Sequence, residues 1–164
     1  LHSFPTRRSS DLNIEISGKG KLIAATYGGQ SHVFEADNKL TVYSSPTIAV
    51  PHSAHDAFHG DEFLSVDEDD VAFSGTIEVN DCASQAFDFE TKSGTGSISV
   101  SGGTIKVDNA ASVFKTDATL TIAKGAKVIA TNLTEEAVAT GEYSTGLAVT
   151  NNGTFTIDGQ DYQA

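Results

Sequence analysis

His52, His55 and His59 stand at the spacing His-x2-His-x3-His. Imidazoles so placed are the ligands zinc takes when neutral ring nitrogens converge within about 2.1 Å of it. No cysteine accompanies them and no helical pattern aligns them, so zinc is the weaker reading of this stretch. The chain runs on into Asp61, Glu62, Asp67, Glu68, Asp69 and Asp70. A dense run of carboxylates suits calcium, which accepts many flexible oxygen ligands. Asp61, Glu62, Asp67, Asp69 and Asp70 are therefore the candidate calcium ligands, although no Asp-x-Asp-x-Asp-Gly loop is present. The competing reading is a solvated acidic loop that keeps the particle soluble and blunts a sheet edge.

Tyr27, Tyr43 and Tyr143 fall at or near turn signals, where an exposed ring can stack on a sugar face; corner packing is the ordinary role of such residues. Cys82 is alone, has no intrachain disulfide partner and reads as a small buried hydrophobe. Asn80, Asn109 and Asn132 each follow a strand-like run and are placed to form a corner ladder of side-chain amides.

The elements that must carry these residues are short and repeat. Strand-like pairs begin at Asn13, Lys39, Val71, Ser97, Thr119 and Leu147, each alternating apolar and polar residues with a turn between its two halves. A third motif, a small apolar residue before Phe, recurs as SHVFEAD, HDAFHGD, SQAFDFE and ASVFKTD, with EEAVATG as a degraded copy. Measured on Ile16, Val42, Phe73, Val100, Ile122 and Val149, the repeat length varies from 22 to 31 residues. Helical repeats hold a tight period, whereas a three-strand β-coil keeps its strands and varies its corners. The second strands place Leu22/Ala24, Ile48/Val50, Ile77/Val79, Ile105/Val107, Val128/Ala130 and Phe155/Ile157 inward. The first strands do so with Ile14/Ile16, Leu40/Val42, Val71/Phe73, Ile98/Val100, Leu120/Ile122 and Leu147/Val149. No single coil buries such a set, but neighbours stacked at about 4.8 Å bury one another. The segment Pro51 to Asp70 departs from this pattern and is expected to be an acidic loop inserted after the second coil.

The chain has 10 basic and 22 acidic residues and a formal charge of −12, which disfavours binding to a phosphate backbone. No apolar run is long enough to span a membrane. Both arginines lie in Leu1–Leu12, LHSFPTRRSSDL, which reads as the translation of a synthetic sequencing adapter and is expected to add nothing to the fold. The absence of Met leads to the further expectation that residues 13–164 are an internal piece of a longer protein, one β-helix domain truncated at both ends.

The units GGTIKV, NNGTFTI and [VF]-x-x-D-x-x-LT-[IV] resemble the right-handed parallel β-helix repeats of pectin-lyase-like proteins. More narrowly, they resemble the Thr/Gly/Asn-rich repeats of gut-bacterial adhesin-like and carbohydrate-binding surface proteins. The resemblance implies an all-β solenoid of about five to six coils at a cell surface or secreted, meeting glycans or host surfaces, with no nucleic acid partner. Hydrolases of this fold place neighbouring carboxylates on outward strand positions. Here those positions are Glu15, Thr41, Ala72, Ser99, Thr121 and Ala148 on the first strands, and Ile23, Ala49, Glu78, Lys106, Ile129 and Thr156 on the second. No two carboxylates stack, and Lys106 beside Glu78 reads as a surface ion pair. The expected function is a non-catalytic stalk or glycan-binding surface; a polysaccharide-degrading lyase or hydrolase and a phage tailspike are the alternatives.

Overall fold

The computed structural model of the chain describes residues 12–65 and 73–163. All regular elements among them are short strands, arranged as successive three-strand coils. The first coil is β1 (Ile14–Ile16), β2 (Lys21–Ile23) and β3 (Phe34–Glu35). The second is β4 (Lys39–Val42), β5 (Thr47–Val50) and β6 (Phe58–Gly60), and the third is β7 (Glu62–Ser65), β8 (Thr76–Asn80) and β9 (Phe87–Phe89). The fourth is β10 (Ser97–Val100), β11 (Thr104–Ala110) and β12 (Phe114–Thr116), and the fifth is β13 (Thr119–Ile122), β14 (Lys127–Leu133) and β15 (Val138–Thr140). Then β16 (Ala148–Asn151) and β17 (Thr154–Ile157) begin a sixth, and β18 (Gln160–Asp161) folds back antiparallel on β17.

Each strand from β1 to β17 pairs in parallel with its counterpart one coil away, giving three sheets that run along the stack of coils. The chain is thus an all-β parallel solenoid of about five turns. The second-strand register is the expected one: Leu22, Ile48, Ile77, Ile105, Val128 and Phe155 form one row, buried from Ile48 to Phe155, while Leu22 in the first coil is 39% exposed. The recurring Phe motif is the third strand. Phe34, Phe58, Phe87 and Phe114 stack in register, with adjacent ring centroids 4.9, 4.8 and 5.5 Å apart, and Val138 continues the row. Such burial and aromatic stacking supply the hydrophobic term that one coil alone lacks.

Three expectations about strand placement differ from the structure. Pro51–Asp70 is not a loop outside the repeat, because its described part forms β6 and β7 and buries Ser53, Asp56, Ala57, Phe58, Phe63 and Ser65. The chain passes from β6 to β7 through Asp61 alone, so the extra length of the third coil falls between β7 and β8, and residues 66–72 lie outside the described residues. The first-strand place assigned to Val71/Phe73 therefore belongs to Phe63 and Ser65, with Phe63 paired between Leu40 and Ile98. In the sixth coil, Val149 pairs with Leu120 and Asn151 with Ile122, so Thr150, not Ala148, continues the outward row at Thr121.

Of the expected amide ladder, Asn109 and Asn132 take their places and Asp81 replaces Asn80. Asp81, Asn109, Asn132 and Asp158 take φ of 58, 56, 54 and 48°, each near the C-terminal end of a second strand or just past it. Asx residues tolerate this left-handed conformation better than other L-residues. Asn109 Nδ2 donates to Asp81 Oδ1 at 2.8 Å and Asn132 Nδ2 to Asp108 Oδ1 at 2.7 Å, whereas Asn80 lies in β8 opposite Asp108. At the corner between first and second strands neighbouring coils pack closely against glycine. Gly103, at φ +64°, has no room for a Cβ, which would lie 2.5 Å from the Phe73 ring.

Candidate functional site on the third sheet

The third sheet concentrates the ionisable groups. Its strands place Glu35, His59, Asp88, Lys115 and Ala139 in one row, one residue per coil. Three residues before each, a second column runs His32, Asp56, Gln85 and Ser112, held by the bonds from Val33 N to Asp56 O, Ala57 N to Gln85 O and Ala86 N to Ser112 O. The two columns meet at Asp56, which is wholly buried.

Asp56 is fixed from several sides. Its Oδ1 accepts from Gln85 N at 3.1 Å and its carbonyl accepts from Ser53 Oγ at 2.8 Å. Cys82 Sγ donates to His55 O at 3.0 Å, which pins the neighbouring backbone; burial pushes the Cys82 thiol up to about 11. Oδ2 is left for three imidazoles. His55, His32 and His59 bring Nδ1 to 2.9, 3.2 and 3.4 Å of that single oxygen. His32 and His59 stack with centroids 4.1 Å apart and planes 11° apart, and His55 meets His32 edge-on. Burial and the proximity of His59 lower the His32 pKa. The contact with Asp56, together with Asp88, raises that of His59 against its own burial. Burial pushes the Asp56 carboxyl up, but the neighbouring His59, Ser84 and His55 groups outweigh it and the net shift is down. Ligand atoms of His32, His55 and Asp56 lie within 4.8 Å of one another, as do those of Asp56, His59 and Asp88, so either trio has the donors to hold a metal ion.

Next in the row, Asp88 is 4% exposed and is pushed up to about 7 by burial and by Asp56, against the pull of Lys115. Lys115 Nζ lies 2.6 Å from Glu90 and 3.6 Å from Asp88. Burial alone would raise Glu90 too, but Lys115 and the Glu142 amide outweigh it and hold the carboxyl low. Asp88 and Glu90, two residues apart on either side of Phe89, are thus shifted in opposite directions.

Beside this row is an open groove of about 870 Å³ lined by residues that include Asp37, His59, Asp61, Glu90, Lys92 and Tyr143. Its wall is built by two longer corner loops. The Thr91, Ser93 and Thr95 hydroxyls bond one another at 2.9–3.0 Å, Asp117 Oδ2 accepts from Thr91 N at 2.6 Å, and Ser144 Oγ donates to Asp117 O. Tyr143 stands 43% exposed on this wall.

The candidates drawn from the sequence are thus partly gathered and partly dispersed. Asp61 and Tyr143 share the groove. Tyr27, 78% exposed, lies instead on another corner and stacks on His52 at 5.0 Å, while Tyr43 is half-buried in the turn after β4. His52 bonds Asp81 at 2.6 Å and leaves the histidine cluster, where His32 takes the third place. Glu62 begins β7 between Lys39 and Ser97, and Asp67, Asp69 and Asp70 lie outside the described residues. Lys106 and Glu78 form the expected ion pair at 3.0 Å.

Sequence reasoning missed His32, Asp56, Asp88, Glu90 and Lys115. Aligning the four Phe motifs on their Phe residues brings the His32/Asp56 and His59/Asp88/Lys115 columns into view. No helix among the described residues is long and apolar enough to cross a membrane. Compared with family models, curated proteins and solved structures, the chain finds no match, and its fold stands on its own strand pairing.

Proposed function

We propose that this chain is a non-catalytic segment of a secreted or surface-exposed solenoid, adhesin-like, that serves as a stalk and presents a glycan-binding groove on its third sheet. The observation that carries this reading is the groove itself. An exposed Tyr143 ring faces a solvent-open hollow whose other lining groups, Asp37, Asp61, Glu90, Thr91, Lys92 and Ser93, offer hydrogen-bond acceptors and donors suited to sugar hydroxyls. The acidic surface and the Thr-, Ser- and Gly-rich corners agree with an extracellular setting. A glycan array tests it. Signal with the intact chain, reduced at least about tenfold by Tyr143→Ala, is expected, a loss of the size that removing one aromatic anchor brings.

A polysaccharide-degrading enzyme is the second reading, and Asp88 and Glu90 favour it, because environments that drive two carboxylates apart in pKa mark many acid–base pairs. Burial of Asp88, 4% exposed, counts against direct contact with substrate. Incubation with pectin, alginate and host-type glycans is expected to release no reducing ends and no unsaturated product. Turnover lost in Asp88→Asn or Glu90→Gln would replace the binding reading with the enzymatic one.

A further inference from the structure

We propose that His32, His55 and Asp56 form a binding site for a zinc-class divalent transition-metal ion, with His32 Nδ1, His55 Nδ1 and Asp56 Oδ2 as the protein ligands. This goes beyond the glycan reading and does not depend on it. Ligands about 2.0–2.1 Å from a tetrahedral zinc stand about 3.3 Å from one another. The Asp56 Oδ2 to Nδ1 separations are 2.9 Å for His55 and 3.2 Å for His32, and all three ligand atoms fall within one 4.8 Å cluster.

One carboxylate oxygen has two lone pairs, yet three ring nitrogens crowd Asp56 Oδ2. His32 Nδ1 and His59 Nδ1 are buried with no hydrogen-bond partner among the described residues, which is costly for a native interior unless another partner serves them. A cation at the meeting point of His32, His55 and Asp56 satisfies His32 and removes the competition for the oxygen.

Gln85 N occupies Oδ1, Ser53 holds the Asp56 carbonyl and Cys82 holds that of His55, so the carboxylate and one ligand backbone are fixed before any ion arrives. Two imidazoles with one carboxylate suit zinc and its neighbours, not calcium or magnesium, which take all-oxygen shells. Three protein ligands leave one tetrahedral position for water or an external donor. The ligands come from two coils, so the ion would also cross-link the first coil to the second.

The test is titration of the chelator-stripped full chain with zinc chloride against a chromogenic competitor. One zinc per chain is expected, with a Kd below about 1 μM and an affinity that falls as pH drops through the imidazole range. His32→Ala and His55→Ala should each weaken binding at least about tenfold, and His52→Ala, remote on Asp81, should leave it unchanged. Circular dichroism verifies that each variant folds. If His32→Ala does not, His55→Ala decides, since that side chain is 33% exposed and its loss is the milder change. Cobalt(II) in place of zinc should give the intense visible absorption of a tetrahedral site. Absence of binding up to about 100 μM, binding that survives His55→Ala, or binding lost in His52→Ala would each overturn the assignment.

Discussion

At the residue scale, Asp88 shows how the third sheet sets protonation through its neighbours along the stack. It sits between His59 and Lys115 in the row, with Asp56 close by, and its carboxyl rises from 3.8 to about 7. A carboxyl raised in the folded chain holds a proton that the unfolded chain has already released above pH 4. Its contribution is therefore fully present below the unfolded value and is lost as pH rises through about 7. His59, also raised, acts in the same direction. In chelator-treated protein, Asp88→Asn should be more stable than the parent at pH 8, by about 1–3 kcal/mol, and should narrow the difference between pH 5 and pH 8. Urea denaturation at the two pH values measures this; an equal loss at both would show that the charged carboxylate is stabilising. None of this was readable from residue types, because Asp88 looks like any polar strand residue until the stack brings Asp56 and Lys115 to it. The Lys106–Glu78 pair was readable because both residues occupy the same outward place in well-formed second strands.

At the element scale, stability resides in rows, not in single strands. Phe87 is flanked by Phe58 on one side and Phe114 on the other, with Phe63 edge-on at 5.0 Å, and is wholly buried. Phe34 occupies the same place in the first coil but is half-buried and has one stacked neighbour. Phe87→Ala should therefore cost about 3–5 kcal/mol in urea unfolding, and Phe34→Ala at most about half of that. Equal losses would mean that the row does not stack as described. The second and third strands were legible because alternation and the Phe motif survive in nearly every copy. The first strand of the third coil was not. Phe63 follows a one-residue corner and ends at Ser65, a buried polar residue where neighbouring coils place Val42 and Val100, so the apolar pair nearby at Val71 and Phe73 offered the stronger pattern. The copy HDAFHGD already contained β6, and its histidines and aspartates read as loop residues only because their charge masked the motif.

At the scale of the whole molecule, coil stacking does the assembling. His32, Asp56 and Asp88 are 24 and 32 residues apart along the chain and come together because each belongs to a different coil at nearly the same angular place. The same stacking pairs Glu15, Thr41, Leu64, Ser99, Thr121 and Thr150 in one register row of the first sheet, five coil steps from end to end. The most direct measurement is a spin-label distance between Glu15→Cys and Thr150→Cys by pulsed electron resonance. Both positions are exposed, while Cys82 is buried with its thiol pushed up to about 11, so it stays unlabelled near neutral pH. Five steps of about 4.8 Å predict a single population centred near about 24 Å, widened only by the label linkers. A broad or multimodal distribution, or a centre below about 15 Å or above about 40 Å, would contradict the uniform parallel stack on which the third-sheet site depends.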